Sequence, residues 1–165
     1  MSETLTIPTG TKEDIYRGLL PQIESLVADT DDLIANLANV AAVLKQAFDF
    51  QWVGFYRTTK PRLLTLGPFQ GPLACVTIPF DKGVCGAAAR NQKTVLVEDV
   101  EKFPGHIACS SLSRSEIAVP LVSAEETQLV LDVDSAELNG FDRVDQRYLE
   151  AVVSVIAKRH FAFSL

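Results

Sequence analysis

From Lys12 onward, apolar residues at Ile15, Leu19, Leu20, Ile23, Leu26 and Val27 recur at helical spacing, and Pro21 within the run predicts a kink or a split. A stronger stripe follows in Leu33, Ile34, Leu37, Val40, Ala41, Leu44 and Phe48, with Thr30 or an adjacent aspartate placed to cap it. After Phe48 the period shortens to that of strands, in FQWVGFYR, RLLTLG and LACVTIP, with turn chemistry at TTKP and GPFQGP. The small-residue run GVCGAAA opens a short helix over 84–91, and KTVLVEDV reads as a further strand. A loop over 101–114 leads into EIAVPLVS, the polar turn SAEETQ and LVLDVDS. An amphipathic helix over 142–161 closes the chain, turning Val144, Tyr148, Leu149, Val152, Val153 and Ile156 to one side. Two helices, about six strands and a last helix, without regular βα alternation, predict an α+β fold on a mainly antiparallel sheet.

With 165 residues the chain is expected to form one domain over 1–165, with a flexible N-terminus over 1–11. A formal charge of −6 opposes nucleic acid and anionic membranes as partners, which leaves small molecules and proteins. The polar, acidic opening MSETLTIPTG lacks the basic segment and apolar run of a secretory signal, so the expected location is cytoplasmic. In that compartment three cysteines point to core thiols, metal ligands or redox chemistry rather than to a fixed disulfide framework.

Taken singly, Cys75 in an apolar strand reads as a buried core thiol. Cys85, at the start of the Gly-Ala helix, either fills a tight contact or gains acidity from the helix N-terminus. Cys109 differs, because a polar small-residue loop gives a thiol little packing reward and His106 stands near enough in sequence to offer positive charge. These four residues have the ligand number for zinc, but with no close cysteine pair the spacing argues against a metal, and no cofactor is expected. Asp132 and Asp134 alternate in LVLDVDS and so share a strand face, while Glu116 begins the preceding strand. They mark either the end of a strand or an acidic pocket able to donate a proton or grip an ammonium group. Trp52 and Tyr56 also share a face, as sheet core or as an apolar wall around a thioether or sulfoxide side chain.

Together these residues resemble the free methionine-(R)-sulfoxide reductases, a family of single GAF-domain enzymes. The segments ANLANVAAVL, WVGFYR, LGPFQGPLACVTIPFDKGVCGAA, VEDVEKFPGHIACSS, SRSEIAVPL and LDVDS carry the resemblance, with all three cysteines in the family's spacing. It implies a GAF fold and thiol-dependent reduction of free methionine (R)-sulfoxide. Cys109 is implied as nucleophile, Cys75 as resolving partner, and Cys85 as a third redox cysteine that relays or substitutes. Glu116, Asp132 and Asp134 fall on the acidic substrate pocket, and Trp52 and Tyr56 on its aromatic wall. Thioredoxin is the implied reductant and a homodimer the implied assembly. Two departures stand out: Ser110 follows Cys109 where the family usually has an aspartate, and TQLVLDVDS lacks the common glycine. The alternative is a GAF sensor that binds a small ligand without turnover.

Overall fold

The computed structural model describes residues 4–162. Helix α1 (Lys12–Asp29) starts from a capping box in which Thr11 accepts from the Asp14 N–H and the Asp14 carboxylate accepts from the Thr11 N–H. Pro21 lies inside this helix without splitting it, contrary to expectation. Its ring sits on the exposed side, and just beyond it Gln22 Nε2 donates to the Gly18 carbonyl at 2.9 Å and to the Thr6 carbonyl at 2.7 Å. The Thr6 N–H donates back to Gln22 Oε1, which ties the N-terminal arm to α1. Helix α2 (Leu33–Ala47) is capped by Asp32, whose side chain accepts from the Ala35 N–H at 2.8 Å. Ile34, counted in its apolar stripe, is exposed, and Phe48 serves as the C-cap.

The sheet is formed by β1 (Trp52–Lys60), β2 (Leu63–Gln70), β3 (Thr77–Pro79), β4 (Val95–Val97), β5 (Ser115–Ser123) and β6 (Glu126–Ser135). Their order is β3-β2-β1-β6-β5-β4, with every pairing antiparallel. The fold class is therefore as expected, but two strands are not where hydropathy placed them. Strand β2 continues through Gly67-Pro68-Phe69, which reads as turn chemistry, and LACVTIP contributes only Thr77–Pro79. Cys75 consequently sits in a connecting loop rather than in an apolar strand.

Strand alternation divides the molecule into two cores. Val53, Phe55, Ile117, Val119, Leu131 and Val133 face α1, α2 and α4 (Arg143–His160) in the larger one. The opposite face carries Trp52, Tyr56, Ala118 and Val130, covered by α3 (Gly83–Asn91) and the loops before and after it. Gly86 lets α3 press onto the chain before it, since a Cβ there would stand 2.5 Å from the Pro79 carbonyl oxygen. A buried Asp145 fastens α4 to α1, accepting from Tyr16 Oη at 2.9 Å and from Lys12 Nζ at 2.6 Å. No helix among the described residues is long and apolar enough to cross a membrane.

Candidate active site

Register brings the predicted residues together on the second face. Trp52 pairs with Asp134, Gly54 with Asp132, and Glu116 with Asp134 across β5 and β6. Side chains at directly opposed positions share a face, so the two aspartates, Glu116, Trp52 and Tyr56 form one continuous patch on three neighbouring strands. Gly54 is required inside it, because a Cβ there would lie 2.6 Å from Trp52 Cη2 and collide with Phe69 Cβ.

Above the patch stand two loops joined by a disulfide between Cys75 and Cys109, whose Cα atoms are 5.3 Å apart. This spacing is ordinary for a disulfide. Between the loops and the sheet is a cavity of about 40 Å³, lined by Cys109, Cys85, Trp52, Glu116, Asp132 and Asp134 among others. Space of that size holds about three water molecules.

Each loop is held at its base. The Tyr56 hydroxyl donates to the Cys75 carbonyl at 3.0 Å, and Trp52 Nε1 donates to the Pro72 carbonyl at 3.1 Å. Trp52 is in turn stacked on Phe69, with ring centroids 5.2 Å apart, and on Tyr56 at 6.0 Å. The aromatic wall thus also positions the Cys75 loop, a role the sequence reading missed. Phe69 was missed too, because the Gly-Pro before it reads as a turn. In the second loop the Gly83 N–H at the start of α3 donates to the Gly105 carbonyl at 3.0 Å, and Ser110 Oγ accepts from the Leu112 N–H at 3.2 Å. Ser110 therefore supplies a loop hydrogen bond of its own.

Burial dominates the electrostatics. Glu116 and Asp134 are pushed well above the usual carboxylate range, first by desolvation and then by the charge of Asp132. Asp132, also desolvated, is raised less, to about 6, because hydrogen bonds from Glu116 and Cys85 favour its charged form. Asp132 is thus the acid of the cluster that ionises first as pH rises. One oxygen of that carboxylate, Asp132 Oδ1, is buried without a hydrogen-bond partner. Cys85 lies fully buried with Sγ 3.8 Å from Glu116 Oε1, and desolvation together with the nearby acids pushes its thiol far up. The helix N-terminus does not make it acidic, and Cys85 is the free thiol of the three. His106 lines the cavity but burial lowers its pKa, so at neutral pH it is not the positive neighbour of Cys109.

The zinc set weighed from the sequence does not assemble: Cys75 and Cys109 are bonded to each other, while Cys85 faces Glu116 and Asp132. The arrangement is a disulfide over a pocket of buried acids with raised pKa values, chemistry suited to protonating an oxygen while a sulfur attacks.

A curled antiparallel sheet with helices on one face and a pocket on the other defines the molecule as a GAF domain, and the GAF-domain family model matches residues 27–158. "GAF domain-containing protein A" of Dictyostelium discoideum is 53% identical, over 94% of this chain and 99% of that one. A "Free methionine-R-sulfoxide reductase" of Saccharomyces cerevisiae is 42% identical over 89% of this chain and 86% of that one. The crystal structure of a free methionine-R-sulfoxide reductase of Neisseria meningitidis with its substrate superposes with a TM-score of 0.92, at 54% identity and 94% coverage of both chains. The chain belongs to the GAF-domain family of free methionine-(R)-sulfoxide reductases.

Proposed function

We propose that this chain reduces free methionine (R)-sulfoxide to methionine, with Cys109 as the nucleophile and Cys75 as the resolving thiol. The observation that carries the reading is the Cys75–Cys109 bond placed directly over the Glu116, Asp132 and Asp134 cavity. In the reduced protein the Cys109 thiolate attacks the sulfoxide sulfur while a neutral Glu116 or Asp134 protonates the oxygen. The sulfoxide gains two electrons and leaves as methionine; Cys109 loses two and becomes a sulfenic acid. Cys75 then attacks that sulfur, water departs, and the disulfide forms.

Asp132 supports selection of the free amino acid. Its buried, unpartnered oxygen suits an ammonium group, which peptide-bound methionine lacks. In the disulfide form Cys109 carries no free thiolate, so reduction must precede attack on the substrate. Thioredoxin or a similar dithiol completes the cycle by exchange. Assaying methionine after incubation with separated R and S sulfoxides, as free amino acid and within a short peptide, tests the reading. Turnover of the free R form alone is expected; equal turnover of the peptide would overturn it.

A further inference from the structure

The most exposed large apolar side chains among the described residues are Leu73, Val76 and Leu112, at 89%, 66% and 59%. The other exposed ones lie at 40–43% and are scattered over the molecule. All three belong to the disulfide loops: Leu73 and Val76 flank Cys75, and Leu112 follows Cys109 in its loop. The bond between the loops keeps all three near the sulfur atoms, with Leu73 and Val76 within two positions of Cys75 and Leu112 three beyond Cys109. Single exposed apolar residues are ordinary, but a cluster at a reactive bond marks a contact surface.

Charge sharpens the point. The chain carries −6, yet residues 63–80 contain no charged or histidine side chain, and 103–113 contain only His106, which burial holds neutral at pH 7. The surface these two loops themselves present is uncharged within an anionic protein. It complements an equally uncharged apolar surface and offers no attraction to a cationic one. The two sulfurs are also not equivalent within it. Cys109 lines the cavity and Cys75 does not, so attack on Cys75 would return the freed Cys109 thiolate to the pocket; both residues are half-buried.

We propose that Leu73, Val76 and Leu112 form the docking surface for a protein dithiol whose reactive sulfur lies in an uncharged apolar face, and that this sulfur attacks Cys75. This rests on the reading that the disulfide is reduced in each cycle. The incoming thiolate bonds to Cys75 Sγ and the Cys75–Cys109 bond breaks, releasing the Cys109 thiolate into the cavity. The partner's second thiol then attacks its own mixed disulfide, freeing Cys75. Two electrons pass to the enzyme, and the partner leaves oxidised.

The test uses the oxidised chain without substrate, counting thiols by alkylation after mixing with reduced thioredoxin or with dithiothreitol. Val76→Ser/Leu112→Ser changes neither a cavity-lining residue nor a cysteine. Its reduction by dithiothreitol is expected within about twofold of wild type, which also reports intact folding, and its second-order rate with thioredoxin at least about tenfold lower. Equal thioredoxin rates would overturn the docking surface, including an outcome in which the substitutions alter self-association instead. Thioredoxin lacking its second active-site cysteine should be trapped on Cys75; trapping on Cys109 would overturn the proposed polarity. Failure of wild type to turn over methionine sulfoxide with dithiothreitol would instead refute the reductase reading, so the two failures are distinguishable.

Discussion

Residue chemistry at the pocket divides the three cysteines by their surroundings rather than by their identity. Cys109→Ser is expected to abolish methionine formation, whereas Cys75→Ser should release one equivalent per chain and then stall, as read by a single-turnover assay. Cys85→Ser should keep most of the turnover, since a buried thiol with a strongly raised pKa is a poor nucleophile. A loss as large as that of Cys109→Ser would make Cys85 part of the chemistry. The shared face of Asp132 and Asp134 was legible from strand period alone, because alternation is a local property. The state of Cys85 was not, because its acidity is set by burial and then by Asp132 and Glu116, all of which arise only through the tertiary fold. Hydropathy likewise misplaced Cys75, since an apolar extended loop and a buried strand have the same local composition.

At the scale of elements, helices α1, α2 and α4 were readable from stripes and caps, whereas strand ends were not. Their limits depend on pairing: β2 reaches Gln70 because Val53 and Gly54 pair with Gln70 and Phe69. That extension stacks Phe69 on Trp52 and so steadies the residues that hold the Cys75 loop. Tyr56→Phe removes the hydroxyl bonded to the Cys75 carbonyl. Disulfide formation after a single turnover should slow, while the first release of methionine should be nearly unaffected; equal slowing of both would place Tyr56 in the first step. Pro21 was expected to kink or split α1, yet the helix runs on through it, with the ring on the exposed side. Pro21→Ala restores the missing backbone bond and should raise stability by up to about 3 kcal/mol in urea unfolding.

Across the whole molecule, the buried acids link stability to pH. Glu116, Asp132 and Asp134 hold their protons more tightly when folded than in the unfolded chain, where they titrate near 4. Their contribution is fully present below about pH 4 and is lost as pH rises through the folded values, the first being about 6 for Asp132. Ionising Asp132 in the folded state thus already costs stability at neutral pH. Glu116→Gln/Asp134→Asn should therefore melt at a higher temperature than wild type at pH 8 while losing turnover. The difference between the two melting curves isolates this effect from His106 and His160, whose lowered values act in the opposite direction. A variant less stable than wild type at pH 8 would show that the acids are compensated in the folded state.

The central claim is that Cys75 and Cys109 meet over the acid cavity as a consequence of sulfoxide reduction. Fully reduced, desalted protein should be mixed with one equivalent of free methionine (R)-sulfoxide and no reductant, then alkylated after denaturation and mapped by mass spectrometry. One methionine per chain, a Cys75–Cys109 disulfide and an alkylated Cys85 are predicted. Three alkylated cysteines and no methionine, as a ligand sensor would give, would contradict the account.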